Sequence, residues 1–145
     1  IDTPLCLDES ARELRAVEQA LAIGACQYVN IKPGRSGGFT RSVKIHDVCR
    51  DHGVPVWIGG MLESSVGGAL CVELATLPNF TYPGDLFPSS KFYVDDLASP
   101  ALELTDSLTF KPATAGLPEP DEDRLAQMLV RSASVTMEDA IADRH

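Results

Sequence analysis

Residues 28–34 decide the fold, and they read Tyr28-Val29-Asn30-Ile31-Lys32-Pro33-Gly34. The run is short and mostly apolar, and a lysine followed by proline and glycine ends it. Such a run is typical of a buried β-strand. Similar runs at residues 4–8, 55–59 and 79–82 recur at intervals of about 25 residues, the length of one strand, one helix and two short loops. We therefore expect strands that alternate with helices.

The segments between these strands have the apolar spacing of helices. Ser10 and Glu13 have the spacing of a capping box that opens a first helix, and Gly24 stands where that helix would end. A second helix is predicted over residues 40–52 and a third over residues 64–77. Strands that alternate with helices predict an α/β fold with a parallel sheet and right-handed crossovers.

Three strand-helix units followed by a fourth strand make half of an eight-stranded barrel. Such a half leaves two strand edges and an inner face uncovered, which soluble proteins avoid. We therefore expect the chain to be the carboxyl-terminal part of something larger, or to need a partner chain that closes it.

The pattern changes after the fourth strand, so we divide the chain into residues 1–98, which carry the half-barrel, and residues 99–145. Within the second part we expect a small hairpin over residues 101–110, a loop rich in proline and glycine over residues 111–121, and a helix over residues 121–130. The last dozen residues fit either an amphipathic turn or a frayed tail.

The composition limits the class of protein. The 145 residues are 44% hydrophobic, enough for one domain with its own core. The net charge is -9, with 12 basic residues among 21 acidic ones, which argues against a nucleic-acid surface. No apolar run has the length of a membrane span, and no basic-then-apolar amino terminus suggests a signal peptide. We expect a cytoplasmic protein without a membrane or nucleic-acid partner.

Four cysteines stand in apolar segments, and none lies within two or three residues of another. They are Cys6, Cys26, Cys49 and Cys71. This spacing does not fit a zinc or redox motif. We interpret them as four reduced, buried thiols.

Asp8 and Lys32 each follow an apolar run, so both are placed at the carboxyl end of a strand. In a barrel of parallel strands these ends form the catalytic rim. A hard cation such as Mg²⁺ prefers carboxylate oxygens, so Asp8 is a candidate metal ligand. Since side chains alternate along a strand, Glu9 would then support Asp8 rather than bind the metal itself. The alternative is that Asp8 and Glu9 only cap the following helix.

Lys32 is the candidate proton-transfer residue. A lysine usually points into solvent, but this one ends an apolar strand beside Asn30 and a glycine-rich turn. Partial burial and a nearby cation would suit its amine to proton transfer.

Other conspicuous residues carry weaker signals. The stretch 34–38 resembles a phosphate-binding loop only superficially, because it lacks the Lys-Ser/Thr ending. The stretch 59–64 has backbone amides that would suit a substrate carboxylate. We interpret His46 and His52 as helix-surface residues and Trp57 as barrel packing.

Several strings, in order, resemble the carboxyl-terminal half of an enolase-superfamily enzyme, in the group of o-succinylbenzoate synthase and N-acylamino acid (N-succinylamino acid) racemase. The resemblance covers residues 3 to about 125, and the strings that carry it are Thr3-Pro4-Leu5-Cys6-Leu7-Asp8-Glu9-Ser10, Asn30-Ile31-Lys32-Pro33-Gly34-Arg35, Ile45-His46-Asp47, Pro55-Val56-Trp57, Gly59-Gly60-Met61-Leu62-Glu63, Leu77-Pro78-Asn79-Phe80 and Pro83-Gly84-Asp85.

The resemblance implies a capped (β/α)₇β TIM-like barrel whose fifth to eighth strands lie in this chain, with residues 99–145 returning to the capping domain. It implies that Asp8 is the third of three carboxylate ligands to Mg²⁺ or another divalent cation such as Mn²⁺, and that Glu9 supports it. Lys32 would be the sixth-strand lysine, facing the substrate opposite a second lysine. The family's metal stabilises the enediolate that forms when a lysine removes the α-proton.

The resemblance also implies a site for a small carboxylate substrate. Its pocket would be lined by Asn30, Gly60, Met61, Leu62 and Phe92. The synthase reaction is a dehydration in menaquinone biosynthesis, in which the residue matching Lys32 acts by its charge. A racemase uses both lysines, one on each face. The implied partners are the missing amino-terminal half of the barrel with its capping domain and further copies in a homo-oligomer. A half-barrel that acts only as a binding or assembly module is a further alternative.

Overall fold

The structure is a computed structural model that describes residues 2–134. Its three strands form one parallel sheet in the order β1-β2-β3, and each is followed by one or more helices. The elements are β1 Cys6–Leu7, α1 Leu14–Ala22, β2 Tyr28–Ile31, α2 Pro33–Ser36, α3 Phe39–Asp51, β3 Val56–Ile58, α4 Ser65–Leu74, a 3₁₀ turn Ser89–Lys91 and α5 Glu122–Met128.

The predicted α/β fold with a parallel sheet is confirmed. The first three predicted strands contain β1, β2 and β3, which are shorter than the apolar runs. The fourth run, residues 79–82, does not form a strand. It joins the sheet through an isolated bridge between Val56 and Phe80, and a second bridge joins Gly59 to Asp85. Residues 79–85 therefore continue the sheet beyond β3.

The first helix begins later than the sequence predicts. The capping-box prediction is wrong, because α1 starts at Leu14 with Glu13 as its N-cap and no side chain caps it. The chain turns first instead, and the Ala11 amide donates to the Asp8 carbonyl at 3.0 Å. This turn separates Asp8 from the helix by five residues, so Asp8 is not its cap. Gly24 follows the helix at φ +63°, a left-handed conformation that glycine adopts readily.

The strands place their residues on two faces. Because side chains alternate along a strand, Val29 and Ile31 of β2 point to one face, and Asn30 and Lys32 to the other. The first face packs against the helices and forms the main hydrophobic core. Fully buried members of this core are Val17, Val29, Ile31, Ile45, Cys49 and Val56. The other face carries the polar residues of interest.

Three of the four cysteines are buried as predicted, but Cys6 is exposed, since it lies on the edge strand β1. Burial raises the pKa of Cys49 to about 12 and that of Cys71 to about 12. The thiolate is the reactive form of cysteine, so these two thiols are inert at neutral pH.

The prediction that His46 lies on a helix surface is wrong. Its side chain is buried, and its ring stacks on Phe80 with centroids 5.4 Å apart. The Asn79 backbone N–H donates to His46 Nε2 at 3.2 Å, so the ring proton is on Nδ1, which donates to Asp47 Oδ1 at 3.0 Å. His46 thus connects α3 to the segment that continues the sheet. His52, by contrast, is exposed as predicted.

We expect His46→Ala to lower the free energy of unfolding by about 2–4 kcal/mol, because it opens a cavity and leaves the Asn79 amide without its acceptor. Urea unfolding of the protein measures this. His46→Phe keeps the ring volume but not the acceptor and should cost about 1–3 kcal/mol. His52→Ala is the matched surface control, and an equal stability of the three variants would contradict the structural role.

The carboxyl-terminal part folds over α4. Residues 101–110 contain no strand, but they turn as predicted, and the Thr105 amide donates to the Thr109 carbonyl at 2.8 Å. Helix α5 lies within the predicted range, and its N-cap Asp121 accepts a hydrogen bond from the Arg124 amide at 2.9 Å. The alternatives for the last dozen residues fall almost wholly on residues 135–145, outside those the structure describes. No helix among residues 2–134 is long and apolar enough to span a membrane.

Candidate active site

The register of the sheet brings Asp8 beside Lys32. In the parallel pair β1 and β2, Leu7 lies opposite Val29, and Asp8 and Lys32 follow the last residues of their strands. Lys32 Nζ donates a hydrogen bond to Asp8 Oδ2 at 3.1 Å. The Lys32 side chain is 13% exposed and that of Asp8 30%, so the pair is only partly open to solvent. A carboxylate and an amine thus meet at the carboxyl end of the sheet.

Arg35 is a third member of this cluster, and its role is not visible in the sequence pattern. Pro33 fixes the backbone at the first position of α2, and the Arg35 amide donates to the Lys32 carbonyl at 2.9 Å. This single turn directs the guanidinium back to Asp8, where Nη1 donates to Oδ1. Each oxygen of Asp8 therefore accepts a hydrogen bond from a cation.

The two cations keep Asp8 ionised. Burial alone would raise the pKa of this carboxyl group, but hydrogen bonds and charges from Lys32 and Arg35 outweigh it and hold the pKa below the ordinary value of 3.8. Asp8 is therefore a carboxylate at neutral pH, the form that binds a divalent cation. Glu9 is exposed and makes no hydrogen bond or ion pair with residues 2–134, so the structure does not place it against Asp8.

Asn30 lies on the same face as Lys32 and is buried. Neither its amide oxygen nor its amide nitrogen has a hydrogen-bond partner within the described part of the chain. Leaving such a buried group unpaired costs about 1–3 kcal/mol, so it calls for a partner. Its neighbour in the register is Trp57, whose Nε1 lies 3.2 Å from Cys6 Sγ.

Because Gly59 has no side chain, it leaves room for the side chains of Asn30 and Lys32. A Cβ at position 59 would lie 2.3 Å from Asn30 Oδ1 and 2.5 Å from Lys32 Cε, far inside van der Waals contact. In the sequence, Gly59 is only the first residue of the stretch 59–64, whose backbone amides would suit a substrate carboxylate. Its importance comes from the neighbouring strand, which sequence spacing does not describe.

We expect Gly59→Ala to move the Lys32 amine and, if Lys32 acts in the reaction proposed below, to lower kcat of the complete protein by about 100-fold, since a displacement of about 1 Å of a reacting group has effects of this size. Gly34→Ala is the matched control, because a Cβ there meets nothing within 4 Å. Steady-state kinetics of the two variants, with circular dichroism to verify folding, would measure the difference. Equal kcat values would show that the space over Gly59 is dispensable.

The remaining substrate-binding candidates line one cavity. Gly60, Met61, Leu62 and Phe92 surround a volume of about 300 Å³ together with Asp85 and Phe87. The Phe87 and Phe92 rings meet edge to face at 6.3 Å between centroids. Gly60 follows Gly59 directly, and its amide donates to the Asp85 carbonyl at 2.7 Å. The structure therefore brings four of the five candidates together, and Asn30 lies apart from them beside Lys32.

The described residues offer an incomplete metal site. Among residues 2–134, no group of three or more His, Cys, Asp or Glu side chains is arranged to hold a metal ion. The oxygens of Asp8 are the donor type that Mg²⁺ and Mn²⁺ prefer, but a full shell needs further ligands. Asp8 therefore fits as one ligand among several.

Comparison with known proteins agrees with this geometry. A family model described as "Enolase C-terminal domain-like" matches residues 1–123. The chain is 54% identical over 100 residues to an N-succinylamino acid racemase of Amycolatopsis, covering 69% of this chain and 27% of the relative. It is 44% identical over 117 residues to an o-succinylbenzoate synthase of Geobacillus stearothermophilus, covering 81% and 31%. The chain thus spans less than a third of the length of these curated relatives.

Solved structures give the same assignment. A probable mandelate racemase from Alicyclobacillus acidocaldarius superposes with a TM-score of 0.81 at 30% identity, covering 90% of this chain and 35% of that one. An enolase-superfamily member from Listeria innocua has a TM-score of 0.73 at 35% identity, covering 88% and 34%. By sequence and by structure, the chain belongs to the enolase C-terminal domain-like family.

Proposed function

We propose that this chain is the carboxyl-terminal half of the barrel of a Mg²⁺- or Mn²⁺-dependent o-succinylbenzoate synthase. One observation carries the proposal. The Lys32 amine donates to the Asp8 carboxylate across the ends of adjacent parallel strands, so a proton-transfer group and a metal-ligating group share one site. The chain is 44% identical to a curated o-succinylbenzoate synthase, which supports a dehydration at this site.

In this proposal Asp8 is one ligand of the divalent cation, which when bound supplies positive charge to the carboxylate of the substrate. Lys32 and Arg35 orient the Asp8 carboxylate and hold it ionised. Glu9 would support Asp8 without itself binding the cation.

Lys32 acts on the substrate by its charge or by its proton. In the dehydration, negative charge develops as the α-proton leaves, and the Lys32 ammonium offsets it from a fixed position. Asn30 would supply a hydrogen bond to a polar group of the small carboxylate substrate, because its amide has no partner within residues 2–134. The cavity formed by Gly60, Met61, Leu62 and Phe92 would hold the rest of the molecule.

A second candidate is the N-succinylamino acid racemase reaction, favoured by the 54% identity to a curated racemase. Racemisation removes a proton from one face of the α-carbon and returns one to the other. Lys32 would serve one face, and a lysine from outside this chain the other. The two reactions differ in whether Lys32 must lose and regain a proton.

We also propose that the preceding half of the barrel and its capping domain complete the site. The inner face of the sheet carries exposed rings, including Tyr82 at 51% exposure, whose hydroxyl donates to that of Tyr28 at 3.0 Å. Helix α5 leaves Leu125 and Met128 exposed at 41% and 44%, which suits a segment that packs on the capping domain. We also expect the complete protein to form a homo-oligomer, and analytical ultracentrifugation of the complete protein measures its oligomeric state.

The function is tested by assaying the complete protein with the synthase substrate and with an N-succinylamino acid, each with Mg²⁺ and with a chelator. Product absorbance follows the dehydration, and circular dichroism follows the racemisation. Activity that the chelator removes would support the proposal and name the reaction. Failure of both assays with Mg²⁺ supplied would contradict both enzyme candidates. A stable monomer of this chain alone that needs neither metal nor partner would instead favour a binding or assembly module.

A further inference from the structure

The loop between β3 and α4, residues 60–64, carries two walls of the substrate cavity, Met61 and Leu62. Their side chains are 50% and 66% exposed, so packing of the side chains alone does not fix them. The Gly60 amide holds the start of the loop to Asp85. Within the loop, the Met61 amide donates to Glu63 Oε2 at 2.5 Å. The further supports of the middle and of the far end come from a later segment of the chain.

Asp96 holds the far end of the loop. Its carboxylate accepts hydrogen bonds from the Ser65 amide at 3.1 and 3.0 Å, from the Ser65 hydroxyl at 2.8 Å and from the Ala98 amide at 2.8 Å. Asp96 is 8% exposed and Ser65 is 1% exposed, so water competes little for these bonds. Ser65 is the first residue of α4, where backbone amides lack helical partners and a carboxylate is stabilising.

This cap is unusual in its origin. The residue at the N-cap position, Ser64, makes no side-chain cap of its own. The cap comes from a residue 31 positions later in the chain. The Ser65 hydroxyl also accepts a hydrogen bond from the Leu102 amide at 2.6 Å, so two later positions of the chain, Asp96 and Leu102, hold the start of the helix.

Tyr93 holds the middle of the loop. Its hydroxyl donates to the Leu62 carbonyl at 2.6 Å. The residue before it, Phe92, is itself a wall of the cavity. One five-residue segment, residues 92–96, therefore contributes a wall of the cavity through Phe92, holds the Leu62 backbone through Tyr93 and caps α4 through Asp96.

We propose that residues 92–96 form a latch that sets the shape of the substrate cavity, with Tyr93 and Asp96 as positioning residues for Met61 and Leu62. This inference rests on the proposed function of the cavity. Residues 92–96 make no hydrogen bond or ion pair with Asp8 or Lys32. The latch therefore acts on substrate binding and selectivity, and leaves metal binding unchanged.

The test compares Tyr93→Phe and Asp96→Asn with Asp95→Asn in the complete protein. Asp95 is an exposed neighbour that makes no hydrogen bond with residues 2–134, so its variant is the matched control. We expect KM to rise about tenfold for Asp96→Asn, since it replaces an ionic cap, and about threefold for Tyr93→Phe, which loses one neutral hydrogen bond. For both, kcat should stay within about twofold and Mg²⁺ affinity by calorimetry should not change.

Hydrogen exchange of the amides of residues 60–65 provides a readout that does not need activity. Exchange there should become faster in both variants and stay normal in Asp95→Asn. If the wild-type protein is inactive in both assays, the proposed function fails, and the exchange measurement still tests the latch. Should Asp96→Asn not fold, Tyr93→Phe decides alone. Unchanged exchange, or a KM and substrate preference equal to those of Asp95→Asn, would overturn the proposal.

Discussion

Lys32→Ala is expected to abolish racemisation and to lower kcat of the dehydration by about 10²- to 10⁴-fold, the range of a positioned acid-base group. The substitution removes the amine that donates to Asp8 and that lies over Gly59. The measurement is kcat in both assays, together with exchange of the substrate α-proton in D₂O followed by NMR. Exchange at the wild-type rate would remove Lys32 from the mechanism.

Lys32→Arg separates the two roles of the amine. Arginine keeps the positive charge but does not lose its proton at neutral pH. If Lys32 acts by charge, the dehydration should retain more activity in Lys32→Arg than in Lys32→Ala. If Lys32 exchanges a proton, racemisation should be absent from both variants. Lys91→Ala, which changes an exposed residue at the end of the 3₁₀ turn, provides a control for the loss of a lysine elsewhere.

Asp8→Asn is expected to weaken Mg²⁺ binding and to lower kcat by about 10³-fold. The amide carries no charge to attract the cation. In addition, its NH₂ group can only donate, whereas both oxygens of the carboxylate accept hydrogen bonds from Lys32 and Arg35. Titration calorimetry with Mg²⁺ or Mn²⁺ measures the affinity, and steady-state assays measure the rate.

Glu9→Gln is the matched variant for Asp8→Asn, because it neutralises an adjacent acid that is exposed. We expect at most a modest loss of metal affinity from it. Near-normal turnover of Asp8→Asn would show that the carboxylate is not a metal ligand. A large loss in Glu9→Gln would assign Glu9 a greater role than support of Asp8.

Local patterns predicted the elements well where a single run of residues decides them. The apolar run around Val29 and the stripe through Val17 correspond to β2 and α1, since burial of these side chains follows from strand and helix periodicity. The capping box failed because Ser10 lies in a turn that the Asp8 carbonyl closes. That hydrogen bond competes with helix initiation, and spacing does not reveal which of the two forms.

Residues whose roles depend on another strand or helix were harder to predict. In the sequence, Arg35 is only part of a glycine-rich turn, and Gly59 only the first residue of the stretch 59–64. The fold places each of them against its partners on other elements. His46 was misread because a polar residue on an amphipathic helix usually faces solvent, whereas here the Asn79 amide satisfies it inside the protein. Asp8 and Lys32 were identifiable because strand ends in a parallel sheet converge on one edge.

Trp57 is the only tryptophan of the chain, and it lies on the inner side of the sheet with its indole N–H against the Cys6 thiol. Indole emission shifts to shorter wavelength when the ring leaves water, and a neighbouring thiol quenches it. The protein therefore contains its own optical reporter. In the proposed complete barrel, adding a separately expressed amino-terminal half without tryptophan should shift the Trp57 emission as the two pieces assemble. The rate of this proposed closure could then be measured without any label.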